Sequence, residues 1–234
     1  MSEQLTIDQR FRGPPESGNG GYVCGVVAGL VGGTAEVTLR HPPPLDQPLQ
    51  VALLDDGAVA LRDGETVIAQ GAPASLEIDL PAPVSFTEAE EASRSYLGFR
   101  QHPYPTCFVC GPQCAERDSL RIFPGPVAGR DIVAAPWTPD APLADANGIV
   151  RPEFVWAALD CPGWFAFFTE LPERPVVLGR LAAKLIAPVR SGDRCVVIGW
   201  PLGEDGRKLY SGTALFSHNG ELRAVARATW IRLT

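Results

Sequence analysis

The stretch RPEFVWAALD (residues 151–160) places one carboxylate at the end of an apolar run that favours a helix. The six residues before Asp160, residues 154–159, are all apolar and leave this helix no polar face. A helix that is apolar all round is usually buried. A buried carboxylate costs free energy unless it is paired or has a chemical task. The sequence therefore singles out Asp160 as either a structural acid with a buried partner or a functional group.

The residues that follow Asp160 indicate where this helix ends. Cys161 comes next, followed by Pro162 and Gly163. Proline inside a helix removes a hydrogen bond and clashes with the preceding turn, so it kinks or ends the helix. We therefore predict that Asp160 lies near a helix end.

The composition describes a globular protein with enough apolar material for a core, since 45 % of the 234 residues are hydrophobic. The net charge is −7, and no basic stretch is available to neutralise phosphates, so nucleic acid is not an expected partner. No apolar run reaches the roughly 18 residues expected of a membrane span. No signal peptide is predicted, and the six cysteines are therefore expected to be reduced thiols of a cytoplasmic protein.

Four strands joined by short turns are predicted after the apolar helix. They cover residues 179–187, 194–200, 209–216 and 222–233. In the last strand, alternate residues from Leu222 to Trp230 fall on one better-buried face. Asn219 and Gly220 before it are a strong signal for a tight turn. This order is typical of an antiparallel meander.

The first half of the chain repeats this plan. A helix at residues 21–30 is followed by four predicted strands. These strands cover residues 34–40, 49–54, 58–62 and 66–78. Pro44 and Pro188 take matching places after the first strand of each meander, so an internal duplication is the simplest interpretation. One apolar helix and one antiparallel sheet, twice, form an α+β pattern.

The boundary between the halves is predicted in a connector that covers residues 81–105. It contains an acidic, partly helical segment (residues 87–97) and then a Pro-rich stretch. Exposed segments of this composition commonly separate domains. We therefore predict one domain at residues 1–100, including the connector, and a second at residues 101–234.

Three motifs resemble those of one known family. CFVCGPQCAERDSL (residues 107–120) is similar to a CFxCGxxNPxGL-type segment of thioesterase-like hotdog proteins. NGGY (residues 19–22) is similar to the His-Gly-Gly start of their central helix, and RPEFVWAALD is similar to their HGGxxxxLxD helix segment. The chain thus resembles a double-hotdog member of the acyl-CoA thioesterase superfamily. The resemblance implies two tandem hotdog domains, each an antiparallel sheet wrapped around a central helix.

The two halves keep different parts of the family motif. In the family, the acid lies nine residues after the histidine. Arg151 therefore takes the histidine place and Asp160 the acid place in the second half, while Asn19 and Ala28 take these places in the first half. In family dimers, the helix start of one subunit faces the acid of the other. The resemblance thus implies one intact composite site per chain, whereas Arg151 and Ala28 would form an inactive one.

The intact composite site would consist of Asn19, Gly20 and Asp160. Free N–H groups at a helix start could stabilise the oxyanion of a thioester, and glycine allows a close approach to the backbone. The side chain of Asn19 could donate a hydrogen bond or cap the helix. Asp160 could act as a general base on water or attack directly, and the sequence leaves both roles open.

The resemblance also implies a substrate and the residues that contact it. The substrate would be a thioester of coenzyme A or of acyl-carrier protein. Gly21, Tyr22 and Trp156 are assigned to substrate binding because the apolar helices would line an acyl channel. No cofactor is expected. The open edges of a hotdog sheet are compatible with a monomer or with a homodimer.

Cys107, Cys110 and Cys114 form a C-x2-C-x3-C pattern that could hold zinc or form a redox pair. A tetrahedral zinc site needs a fourth ligand, and His102 is the only close candidate. The related segment belongs to proteins without an evident metal requirement. Structural thiols and no metal are therefore the favoured interpretation.

The same residues also bear on other functions. A non-catalytic acyl-CoA or lipid-binding protein is the main alternative, because both half-motifs lack histidine. A hydratase is ranked lower, since no histidine lies on either central helix, and the absence of GxSxG argues against an α/β-hydrolase. Gly21, Gly25 and Gly29 recur every four residues, which predicts a glycine face for close packing of a central helix.

Overall fold

Alternating apolar residues form the strands of one antiparallel sheet in the computed structural model, which describes residues 4–115 and 118–233. Glu116 and Arg117 of the predicted 107–120 motif lie outside the described residues. The strands, in chain order, are β1 (Gln4–Thr6), β2 (Ala35–Leu39), β3 (Pro48–Leu53), β4 (Val59–Asp63), β5 (Thr66–Pro73), β6 (Gly125–Pro126), β7 (Val133–Trp137), β8 (Val176–Leu185), β9 (Cys195–Asp205), β10 (Lys208–Ser217) and β11 (Leu222–Arg232).

The sheet carries both meanders side by side. Its strand order is β1-β3-β4-β5-β2-β8-β11-β10-β9-β7-β6, so the halves of the chain meet where β2 pairs with β8. At this seam Val37 lies opposite Leu181, and Thr38 lies opposite Arg180. Strands from the first half lie on one side of the seam and strands from the second half on the other. The predicted meander strands are thus present in both halves.

Four α-helices accompany the sheet in the described part of the chain: α1 (Gly20–Val31), α2 (Phe86–Ser93), α3 (Pro152–Ala158) and α4 (Cys161–Phe165). α1 packs against β2 and β5 and against α3, while α4 packs against β9 and β10. The helix predicted over residues 151–160 thus ends at Ala158, and Asp160 is the N-cap of the next helix, so the prediction that it lies near a helix end is confirmed. The break precedes Pro162, which lies in the first turn of α4, where proline is tolerated.

Two glycines allow α1 and α3 to approach each other closely. A Cβ atom on Gly21 would lie 2.4 Å from Cβ of Asp160, and one on Gly25 would lie 2.6 Å from Cα of Glu153. A Cβ on Gly29 would have nothing within 4 Å. The predicted glycine face is therefore confirmed at Gly21 and Gly25 and is wrong at Gly29, which lies beyond the helix crossing.

The first six residues of β9 (195–200) are buried on both faces of the sheet, because the connector covers its outer side there. Cys195 and Val197 belong to the main core, whereas Val196 and Ile198 belong to a second cluster under α2. α2 begins with a capping box formed by Ser85 and Glu88. The connector that the sequence assigned to the first half therefore packs on strands of the second half.

The predicted one-sided burial of the last strand is confirmed, since its alternate residues from Ala224 to Trp230 enter the main core. The strand predicted over residues 66–78 ends earlier, at Pro73, because proline has no N–H group to continue the ladder.

Among the described residues, no helix combines the length and the apolar character that a membrane crossing requires.

Candidate functional site

Asp160 lies between α3 and α4, and its side chain points to the start of α1. Its Oδ2 atom accepts hydrogen bonds from the backbone N–H of Gly21 (2.9 Å) and from Nδ2 of Asn19 (3.0 Å). Its Oδ1 atom is buried and has no hydrogen-bond partner among the described residues. Asn19 and Asp160 thus meet although they are 141 positions apart in the chain. One carboxylate oxygen accepts two hydrogen bonds, and the other accepts none from the part of the chain that the structure describes.

Asn19 performs two structural tasks at once. Its Oδ1 atom accepts a hydrogen bond from the N–H of Tyr22 (2.9 Å), so it is the N-cap of α1, as the sequence predicts. Its Nδ2 atom donates to Asp160. The next residue, Gly20, has no partner for its N–H among the described residues, because the first N–H groups of a helix lack an intrahelical acceptor. One free donor thus remains at the start of α1.

The break between α3 and α4 is held from the sheet. Oγ1 of Thr213, on β10, donates a hydrogen bond to the carbonyl oxygen of Leu159 (2.8 Å). A Cβ atom on Gly163 would lie 2.5 Å from Oγ of Ser211, so α4 lies directly on β10. These two contacts position the backbone on either side of Asp160.

We expect Thr213→Val to lower the free energy of unfolding by about 1–3 kcal/mol, because it leaves the buried carbonyl of Leu159 without a donor while keeping the side-chain volume. Chemical denaturation measures this difference. Thr229→Val on the neighbouring strand is the matched control, because the Thr229 hydroxyl makes no hydrogen bond among the described residues. Equal effects of both substitutions would contradict the assigned role of Thr213.

Burial determines the protonation behaviour of Asp160. Removal from water raises its pKa to about 7, and the nearby Cys107 adds to the increase. The hydrogen bonds from Gly21 and Asn19 oppose this effect, because they stabilise the charged form.

Asp160, Asn19 and Gly20 line one cavity of about 840 Å³. Its walls are largely apolar, as in many sites for small molecules. Apolar and aromatic residues of these walls include Leu39, Pro42, Pro43, Tyr104, Trp164, Phe165, Val176, Val177, Leu178, Trp230, Ile231 and Leu233. Residues from both halves of the chain thus line one cavity, and they include all three residues that the sequence predicts as catalytic.

The other predicted site residues are placed differently. The N–H of Gly21 faces Asp160, but Gly21, Tyr22 and Trp156 are not among the described residues that line the cavity. The Tyr22 ring stacks on Phe11, with ring centroids 4.1 Å apart. Trp156 is buried at the crossing of α1 and α3. Tyr22 and Trp156 therefore support the helices rather than form the wall, where aromatic residues of α4 lie instead.

Arg151 and Ala28, predicted to form an inactive site, have structural contacts. Arg151 is the N-cap of α3, but its side chain makes no capping hydrogen bond. The guanidinium lies 4.7 Å from the centroid of the Phe154 ring and pairs with Glu153 at 3.4 Å. Ala28 is buried in the core.

Three buried cysteines meet beside Asp160. The sulfur atoms of Cys107, Cys110 and Cys161 lie within 4.8 Å of one another, and those of Cys107 and Cys161 are 3.9 Å apart. Cys114 is outside this cluster and contacts the carbonyl oxygen of Cys107 at 3.4 Å. The sequence pattern thus grouped the wrong third cysteine. The available signal was the position of Cys161 directly after Asp160, but its partners are more than fifty positions away.

The thiols of this cluster have pKa values that are shifted in opposite directions. The pKa of Cys107 lies well below its usual range, because the side chains of Cys110 and Cys161 and the N–H groups of Cys110 and Val109 form hydrogen bonds to its sulfur. The same contact with Cys107 holds the pKa of Cys161 well above its usual range. Cys107 is therefore the thiol that most readily loses its proton.

No protein-family model matches the sequence, and no curated protein is significantly similar to it. Solved structures are similar over nearly the whole chain. A proposed thioesterase II from Thermobifida fusca is 14 % identical, with coverage of 99 % of this chain and 92 % of the other and a TM-score of 0.61. The tesB protein of Mycobacterium avium subs paratuberculosis is 12 % identical, with coverage of 93 % and 88 % and a TM-score of 0.60.

A third similar structure is described by its fold alone. This protein of unknown function with the hot dog fold, from Alicyclobacillus acidocaldarius, is 9 % identical. The similarity covers 99 % of this chain and 92 % of the other, with a TM-score of 0.58. The chain therefore has the hotdog fold, as the resemblance of its motifs predicts.

Proposed function

We propose that this protein hydrolyses acyl thioesters at a composite site formed by Asp160 and the start of α1. The observation that carries the proposal is the hydrogen bonding of the Asp160 carboxylate on the cavity wall. Gly21 and Asn19 hold its Oδ2 atom, and its Oδ1 atom has no donor among the described residues. A carboxylate with this arrangement is oriented and still has an oxygen that can accept a proton.

In the proposed reaction, Oδ1 of Asp160 accepts a proton from a water molecule. The water oxygen attacks the carbonyl carbon of the thioester, and the C–S bond then breaks. The thiolate leaves and takes up the proton, so the products are a carboxylic acid and a thiol. The N–H of Gly20 donates to the developing oxyanion, a contribution that is typically worth about 3–4 kcal/mol for one donor.

We assign Asp160 the role of general base rather than nucleophile because of its burial. Only 3 % of its surface is exposed. A nucleophile would have to touch the acyl carbon itself, whereas a general base needs contact only with a water molecule. Single turnover in ¹⁸O-labelled water tests this role: a general base leaves the Asp160 carboxylate unlabelled, whereas label in that carboxylate after the turnover identifies a nucleophile.

The proposed substrate is a thioester of coenzyme A or of acyl-carrier protein. The apolar walls of the cavity suit an acyl chain, and one of the structurally similar proteins is itself proposed as a thioesterase. We further propose two tandem hotdog units at residues 1–100 and 101–234, in a cytoplasmic monomer or homodimer. The β2–β8 seam and the position of α1 and α3 at the same crossing support two joined units.

The experiment that tests this function is a survey of acyl-CoA substrates. The purified protein is incubated with thioesters of short, long and aromatic acyl groups, and free thiol is measured with a chromogenic disulfide. We expect steady release of thiol from at least one class. Absence of turnover across the whole series would exclude the hydrolase.

Binding of acyl thioesters without hydrolysis is the second candidate function. One observation favours it: two of the three donors at the start of α1, from Asn19 and Gly21, are already bound to Asp160. Only the N–H of Gly20 then remains for an oxyanion. Isothermal titration with the same acyl-CoA series distinguishes the candidates, because saturable binding without release of thiol selects the binding protein.

We expect Asn19→Ser to lower kcat by up to about 100-fold while KM changes little, because a misplaced carboxylate affects the chemical step more than binding. Serine can still cap α1, but the buried carboxylate of Asp160 loses the donor from Nδ2, so the unfolding free energy should fall by about 1–3 kcal/mol. Steady-state kinetics and chemical denaturation measure the two effects. An unchanged kcat would show that the contact from Asn19 does not position Asp160.

A further inference from the structure

The cysteine cluster beside Asp160 has distances that suit a bound metal ion. Zn²⁺ binds thiolates at about 2.3 Å, so two sulfurs of a tetrahedral site are about 3.8 Å apart. The sulfur atoms of Cys107 and Cys161 are 3.9 Å apart, and Cys110 completes a group within 4.8 Å. The sulfurs of Cys107 and Cys161 thus have the spacing of two ligands in a tetrahedral site, and a shift of about 1 Å or less brings the sulfur of Cys110 to the same spacing.

The turn that carries two of these cysteines is also preorganised. The N–H of Cys107 donates to the carbonyl oxygen of Tyr104 (2.9 Å) and fixes the start of the turn. The N–H of Gly111 donates to the carbonyl oxygen of Cys107 (2.9 Å) and closes the turn. A Cβ atom on Gly111 would lie 2.5 Å from the backbone nitrogen of Cys107, so only glycine fits there without a shift of the backbone.

His102 contacts the cluster as a donor. Its Nδ1 atom accepts a hydrogen bond from the N–H of Tyr104 (2.9 Å), so the proton of the neutral ring lies on Nε2. Nε2 is 3.4 Å from the sulfur of Cys110 and donates to it. His102 thus stabilises a thiolate and has no free nitrogen for a metal.

We propose that Cys107, Cys110 and Cys161 bind one Zn²⁺ ion through three thiolates, with the fourth position open to the cavity. All three cysteines line the cavity together with Asp160, so a water molecule can take the fourth position. Sites with three protein ligands and one open position are typical of reactive rather than purely structural zinc. This proposal replaces the expectation from sequence that the thiols are structural and hold no metal.

The charges around the cluster are compatible with this ion. Binding releases to solvent the protons of those thiols that are not already ionised, and one Zn²⁺ with three thiolates carries a charge of −1. Two neighbouring donors stabilise this negative charge: Nδ2 of Asn19 lies 3.7 Å from the sulfur of Cys107, and Nε2 of His102 faces Cys110. The cluster is buried, so these donors act with little screening.

The test measures metal directly and needs no substrate, so its outcome is separate from that of the proposed hydrolysis. Protein is purified from zinc-supplemented cultures, and its metal content is determined by mass spectrometry. We expect about one zinc ion per chain. Cys107→Ser and Cys161→Ser should each lose it, while Cys114→Ser, the matched control from the same motif, and His102→Ala should keep it.

A measurement on the wild type covers the case in which a variant fails to fold. Differential alkylation should show that zinc protects Cys107, Cys110 and Cys161 but leaves Cys114 reactive. Replacement by Co²⁺ should produce the thiolate charge-transfer absorption of a tetrahedral site. Three results would overturn the proposal: a wild type without stoichiometric zinc, equal loss of zinc in Cys114→Ser or His102→Ala, or a disulfide between members of the cluster in the protein as purified.

Discussion

Replacement of Asp160 by asparagine is expected to lower kcat for thioester hydrolysis by about 10²–10⁴-fold, the range typical of a lost general base. Asparagine has nearly the same volume, and its side-chain oxygen can still accept the hydrogen bond from Gly21. It cannot take a proton from water at the free position. KM and the affinity for a non-hydrolysable acyl-CoA analogue should change little, because the cavity walls are unaltered.

The matched control for this prediction is Asp205→Asn. Asp205 is an exposed aspartate at the end of β9 and does not line the cavity. The control should retain wild-type kcat. Full activity of the Asp160→Asn variant would refute the proposed mechanism, whereas loss of both activity and cooperative thermal unfolding would show that Asp160 is a structural acid.

Gly25→Ala is expected to destabilise the protein by about 1–3 kcal/mol, the usual cost of forcing an extra methyl group into a packed core. The new Cβ would lie 2.6 Å from Cα of Glu153 and 2.7 Å from Cβ of Trp156. The first contact is to backbone, so α1 and α3 must move apart. Asp160 is positioned by the same crossing, and hydrolysis should therefore fall together with the unfolding free energy.

Gly29→Ala is the matched control on the same helix. Gly29 is exposed, and a Cβ there would have nothing within 4 Å. Alanine is the better helix former by about 1 kcal/mol, so this substitution should stabilise the protein. Thermal and chemical denaturation give both values. Opposite signs at two glycines four residues apart are the expected result, and destabilisation at both positions would show that helix packing does not explain the effect at Gly25.

The sequence by itself determined the local elements of this fold and singled out Asp160 as the acid of the predicted site. Period-two alternation predicted the meander strands, and Asn19 followed by two glycines predicted the capped start of α1. Such features depend on residues that are near each other in the chain. The isolated carboxylate in an apolar run marked Asp160 for the same reason, and spacing against the family motif paired it with the start of α1.

Only the tertiary structure decided which atoms meet. It assigned the N–H of Gly21 to Asp160, left the N–H of Gly20 free and joined Cys161, rather than Cys114, to Cys107 and Cys110. It also placed the connector helix α2 on strands of the second half. These contacts join residues tens of positions apart. These contacts depend on how whole helices and strands pack, and a local periodicity in the sequence does not predict them.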